Sequence, residues 1–211
     1  MSLVAWAVLL LVGVSLELAV DVRGRHGVFY LGKPLASTVF VAVAIHQNAL
    51  HSGYGQAIFV GLILSWFGDI FLIPKGAKRW FAAGLVSFLL GHIAYVIAFF
   101  VYGGDIYLLG LSVPAVSVPA ILVLRWLWPH LDLPMRSPVV AYVVVISMML
   151  SAAHMAFQRD KNHVILLGAM LFYLSDLFVA RHRFVCPERV NRLVGLPLYY
   201  AGQFMLAVTV G

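Results

Sequence analysis

The chain has 211 residues, 63% of them hydrophobic and 10% charged, with a mean hydropathy of +0.99, whereas soluble domains hold about 45–50% apolar residues; a water-soluble globule is excluded. Its formal charge is +6 and its pI near 9.7, but the basic residues lie in short polar stretches between apolar runs, where membrane topology accounts for them, and this excludes a nucleic-acid-binding role. The single Cys186 can form neither an internal disulfide nor a thiolate-rich metal site.

An apolar run of about 20 residues crosses the hydrocarbon core as a helix. Bounding such runs at charge, Gly or Pro gives eight predicted spans, at 2–20, 34–50, 55–73, 80–101, 106–126, 138–157, 164–180 and 194–211. No Lys or Arg precedes the first run, which reads as a span rather than a cleaved signal. Open strands would leave backbone groups unpaired in lipid. The expected fold is therefore all-α: a polytopic integral membrane protein, one domain formed by a bundle of eight transmembrane helices. Pro34 is expected to open the second span, where its missing N–H costs nothing. Pro114 and Pro119 predict a kink in the fifth, and Trp66, Trp80, Trp126, Trp128, Tyr102 and Tyr107 fall near span ends like an interfacial belt.

The first, third, fifth and seventh connections hold Arg23, Arg25, Lys33, Lys75, Lys78, Arg79, Arg125, Arg136, Arg181, Arg183, Arg189 and Arg192, twelve of the 14 basic residues. The sixth holds the other two, Arg159 and Lys161. This asymmetry places the odd connections in the cytoplasm of a cell membrane and both termini outside. Residues 68–72, GDIFL, echo residues 175–179, SDLFV, four spans later. Duplicated four-helix halves, 1–103 and 104–211, would produce that echo in two parallel helices.

Two carboxylates, Asp69 and Asp176, sit inside otherwise apolar spans, each about 6 Å inward from a span end. An ionisable group at bilayer depth costs about 3 kcal/mol and is normally kept for a job, so this pair is the leading functional candidate, against a structural alternative of hydrogen bonding between helices or neutralisation by Lys33. Around it stand Lys33, Glu17, His92, Tyr95, Tyr199 and Gln203 as candidate substrate contacts. Glu17, nearer the interface, fits equally an acid that snorkels outward. Lys33 fits a topology signal. His92 and Tyr95 share one helical face, but counting from Trp80 puts His92 ~12 Å deeper than the aspartates, which weighs against contact with them. For His92 and for Gln203, one turn from Tyr199, hydrogen bonding between helices is the simpler role. His46, His51, His154 and His163 lie toward the opposite face in no metal-like spacing, and no metal site is expected.

Gly32-Lys33-Pro34, FGDIFL at 67–72, FLLGHIAY at 88–95, GAMLFYLSD at 168–176 and YYAGQ at 199–203 together resemble the motifs of the YhhN family of membrane proteins, which contains the lysoplasmalogenases. The resemblance covers essentially the whole chain. It implies hydrolysis of the vinyl ether bond of a lysophospholipid substrate drawn from membrane lipid, without a metal or other cofactor, and the family's two membrane aspartates match Asp69 and Asp176.

The chemistry suits the residues. Protonation of a vinyl ether on the carbon beta to oxygen gives an oxocarbenium ion that water captures, so the reaction needs one proton donor and one anion. Two carboxyls in a low-dielectric site divide those roles, because both cannot ionise cheaply. Glycoside cleavage divides them in the same way. A small proton-coupled transporter is the rival from another class, since membrane Asp, Glu and His also line ion pathways.

Overall fold

A computed structural model describes residues 2–22, 26–74 and 78–211, and the side chains of 20–22 and 26–31 are not described. Arg23, Arg25 and Lys75, used above to orient the chain, lie outside the described residues. The described chain forms helices without strands: α1 (Leu3–Val22), α2 (His26–His46), α3 (Gly53–Phe71), α4 (Lys78–Tyr102), α5 (Tyr107–Leu127), α6 (Leu133–Asp160), α7 (His163–Ala180) and α8 (Arg189–Val208). Each predicted run has its helix. Short 3₁₀ turns at Ala49–His51 and Trp128–His130 close two connections, and a π-helical turn, Arg181–Val185, extends α7. Among the described residues five helices, α3 to α7, are long and apolar enough to cross a membrane, and Leu3–Ala19 of α1 and Gly32–His46 of α2 are shorter apolar helices.

The second span is corrected at its start. Helix α2 begins upstream at His26, so Pro34 lies within it rather than opening it. The Pro34 carbonyl accepts a hydrogen bond from Thr38 Oγ1 at 2.7 Å, and Trp66 Nε1 donates to Thr38 Oγ1 at 3.1 Å, tying α2 to α3. Local capping sets other ends. Ser52 Oγ accepts from the Gly55 amide at 3.0 Å at the start of α3, Asn162 Oδ1 accepts from the Val164 amide at 3.1 Å at the start of α7, and Lys161 takes a left-handed φ of 59° to end α6; these are the first-turn donors and last-turn geometry a helix leaves to be satisfied.

The tightest pairs are α3 with α4 and α7 with α8, and glycine explains both. A Cβ on Gly91 would lie 3.2 Å from the Gly61 carbonyl oxygen, and one on Gly202 only 2.8 Å from that of Gly168, so backbones touch where a larger residue would hold them apart. Between these pairs an aromatic cluster fills the core: Tyr199 lies edge-on to Phe40, Phe88 and Phe172 at centroid distances of 6.2, 5.8 and 5.4 Å. Helix α5 is peripheral and buries only Ser112, Ala120 and Leu127. Apolar side chains such as Val4, Leu11, Leu111 and Ile121 cover the outside, the surface a lipid solvent requires.

Candidate functional site

Lys33 and Ser37 are four residues apart on α2 and so share a face. Both meet Asp69. Lys33 Nζ lies 2.9 Å from Asp69 Oδ1, while Oδ2 accepts hydrogen bonds from the Ser37 hydroxyl and, at 2.7 Å, from Tyr199 Oη. Asp69 is 1% exposed, and this partner set suits an ionised carboxylate, whose oxygens only accept. Lys33 thus serves Asp69, a role beyond a topology signal.

Asp176 has different company. Tyr142 Oη donates to its Oδ2 at 2.6 Å, and His92 Nε2 lies 3.6 Å from the same atom. Ser175 Oγ donates to the Phe172 carbonyl at 2.7 Å and stands 3.5 Å from Asp176 Oδ1, too far for a strong bond, so that oxygen is left open. Among the described residues no Lys or Arg pairs with Asp176. The His92 ring is fixed from behind: the Phe88 carbonyl, 2.7 Å from Nδ1, can only accept, so Nδ1 carries the proton and Nε2 presents a lone pair.

This contact corrects the expected separation of His92 from the aspartates. Counting Asp176 inward from Ala180 took the helix to end there, but the π-helical turn carries it on to Val185. From Val185, Asp176 is ~13 Å inward and His92 is ~18 Å from Trp80. The remaining gap is about one helical turn, which an imidazole and a carboxyl bridge.

Asp69 and Asp176 line one cavity of about 480 Å³, with Lys33, Tyr142, Ser175 and Tyr199 also on its wall. Most of the rest is apolar, including Phe81, Leu85 and Phe88 of α4, Val123 and Leu127 of α5 and Ile146 of α6. The same wall also carries His182, Arg183, Asn191 and Arg192. His92 stands behind Asp176 rather than on the wall. Tyr95 and Gln203 are also off it: Tyr95 Oη donates to Gln203 Oε1 at 2.5 Å, joining α4 to α8. Glu17 does not snorkel. It is fully buried, accepts from Tyr200 Oη at 3.0 Å and lies 3.9 Å from Arg192 Nη2. Sequence reasoning missed Ser37, Tyr142 and Ser175. The i, i+4 spacing from Lys33 could have found Ser37; nothing local marks Tyr142.

Comparison with known proteins agrees with the motifs. The YhhN family model matches residues 28–210. The chain is 31% identical to lysoplasmalogenase TMEM86A of Bos taurus over 159 residues, 72% of this chain and 64% of that protein. It is 32% identical to lysoplasmalogenase TMEM86B of Homo sapiens over 157 residues, 74% and 64% of the two chains. A lysoplasmalogenase homolog of Dictyostelium discoideum is 25% identical over 198 residues, 74% of this chain and 63% of that protein. The chain thus spans a little under two-thirds of the length of these relatives. No solved structure matches it. With its motifs in order, its apolar helices and a family match over nearly its whole length, the chain belongs to the YhhN family of polytopic membrane proteins.

Proposed function

We propose that the protein is a membrane-embedded hydrolase that cleaves the vinyl ether bond of lysoplasmalogens, releasing a fatty aldehyde and a glycerophospho-headgroup. The observation that carries this is the pairing, in one largely apolar cavity, of two carboxyls with opposite surroundings. The relatives named lysoplasmalogenase supply the substrate class. An apolar lining suits an alkenyl chain better than a hydrated ion path, which disfavours the transporter alternative.

Asp69 is the anion, because an ammonium 2.9 Å away compensates its charge. Asp176 is the acid, because a carboxyl without a cation beside it on a largely apolar wall favours its protonated form. Asp176 delivers that proton from its open Oδ1 to the beta carbon of the vinyl ether, and the ether oxygen shares the resulting positive charge. Asp69 stabilises the cation and orients water. Water adds to the alpha carbon and returns a proton to Asp176 Oδ1. The hemiacetal hydroxyl then gives up its proton as the glycerol oxygen gains one, and the carbon's bond to that oxygen breaks to leave the alcohol and the aldehyde. Aldehyde release by the purified protein in detergent, with chelator present, tests this. Wild-type protein is expected to release aldehyde and Asp176→Asn to lose about 10²- to 10⁴-fold. Folded wild-type protein that releases none across headgroups would sink the assignment; a substrate-dependent pH change in proteoliposomes without product would favour transport.

The same proposal treats all eight helices as spans of a single domain in the cell membrane, with odd connections cytoplasmic and both termini outside, and takes the domain as two four-helix halves. Support for the halves comes from matched contacts. Gly61 precedes Asp69 by eight residues, as Gly168 precedes Asp176, and Gly84, Phe88, Gly91 and His92 of α4 are spaced like Gly195, Tyr199, Gly202 and Gln203 of α8. A Cβ on Gly84 would lie 3.4 Å from the Gly68 carbonyl oxygen; one on Gly195 would lie 3.6 Å from that of Ser175, the matching residue. Each aspartate then draws a partner from the other half: Asp69 takes Tyr199 and Asp176 takes His92.

A further inference from the structure

The catalytic steps leave the arginines on the cavity wall without a task. Of the cations lining or bordering the cavity, Lys33 is matched by Asp69, Arg192 lies 3.9 Å from Glu17, and Arg181 is held by Glu188 at 2.8 Å and by Asn191 Oδ1 at 2.6 Å. Arg183 differs. Among the described residues no carboxylate pairs with it; its guanidinium instead lies 4.1 Å from the centroid of the Phe81 ring, and both residues line the cavity. Arg183 is exposed, so an anion can reach it. The face of an aromatic ring fixes an arginine's plane while leaving its N–H donors available.

The π-helical turn is what brings Arg183 there, by carrying helix α7 past its α-helical end. Such turns are uncommon and concentrate at functional sites. Along this rod Asp176 and Arg183 are seven residues apart, ~10 Å by the helical rise. A glycerol unit together with the reach of an arginine side chain covers that separation.

We propose that Arg183 binds the phosphate of the substrate headgroup and so places the vinyl ether at Asp176. This rests on the hydrolase proposal for its substrate class but not for its measurement. Lys33, committed to Asp69, is not the headgroup ligand. A planar guanidinium with two parallel donors suits a phosphate's oxygens.

The test is binding of a saturated 1-alkyl lysophospholipid, which has no vinyl ether to cleave, against a 1-alkylglycerol, which has no phosphate. Both are titrated by calorimetry into wild type, Arg183→Gln, Arg183→Lys and the exposed control Arg79→Gln, each confirmed as folded by size exclusion. Wild type and Arg79→Gln are expected to prefer the phosphate-bearing lipid by roughly tenfold or more. Arg183→Gln is expected to lose most of that preference and Arg183→Lys to keep part of it. An undiminished preference in Arg183→Gln would overturn the proposal. So would displacement by inorganic phosphate in a wild type that shows no preference between the lipids, which would leave a free-phosphate site. Because the ligand is not turned over, failure to release aldehyde would count against the hydrolase alone.

Discussion

At the residue scale the two aspartates differ in what they hold together. Asp69 compensates a buried ammonium, so Asp69→Asn removes a charge and takes from Lys33 the carboxylate 2.9 Å away. Breaking a buried pair on one side costs about 3–5 kcal/mol, and Asp69→Asn is expected to lower the thermal midpoint as well as turnover. Lys33→Met added to Asp69→Asn removes the orphan charge and is expected to recover most of the stability without the activity. Differential scanning fluorimetry beside an aldehyde assay reads both; a double variant as unstable as the single one would argue against the Lys33–Asp69 charge pair. Asp176→Asn, which strands no cation, is expected to stay near the wild-type midpoint.

At the element scale, the close approach of α7 and α8 depends on hydrogen at Gly202. A Cβ there would sit 2.8 Å from the Gly168 carbonyl oxygen and 3.0 Å from the Phe172 amide nitrogen. Both are backbone atoms, so no side chain can rotate away. Gly202→Ala is expected to cost about 1–3 kcal/mol of stability and, by shifting Tyr199 one turn away, to weaken its bond to Asp69. Gly110 on peripheral α5 has open space instead, with nothing within 4 Å of where a Cβ would stand. Gly110→Ala is expected to be neutral or to stabilise by up to about 1 kcal/mol through helix propensity. Equal midpoints for the two variants would refute the glycine seam.

At the scale of the whole molecule, the proposed orientation can be read through the lone cysteine. Cys186 lies in the seventh connection between α7 and α8, on the side assigned to the cytoplasm. A membrane-impermeant maleimide is expected to label inverted vesicles and spare right-side-out ones; the reverse pattern would invert the topology. The Glu188 carboxylate beside Cys186 pushes its thiol above the ordinary value, with burial adding to the effect. Since the thiolate is the reactive form, labelling is expected to be slow at neutral pH, to quicken as pH rises through the alkaline range, and to be faster in Glu188→Gln.

The apolar runs by themselves determined the helical class and the eight elements, because an apolar stretch in lipid has no other way to pair its backbone. They also marked Asp69 and Asp176, since a carboxyl in such a run is conspicuous wherever it points. Helix ends were less legible. Pro34 and the π-helical turn after Ala180 moved two boundaries, and the second concealed the meeting of His92 with Asp176. Only the tertiary structure decided which partner each acid receives. Ser37, Tyr142, Tyr199 and His92 come from helices distant in sequence, and their arrival is set by packing at the glycine seams and the aromatic core. What distinguishes the two acids is therefore their neighbours in space: an ammonium beside Asp69, a phenol and an imidazole beside Asp176.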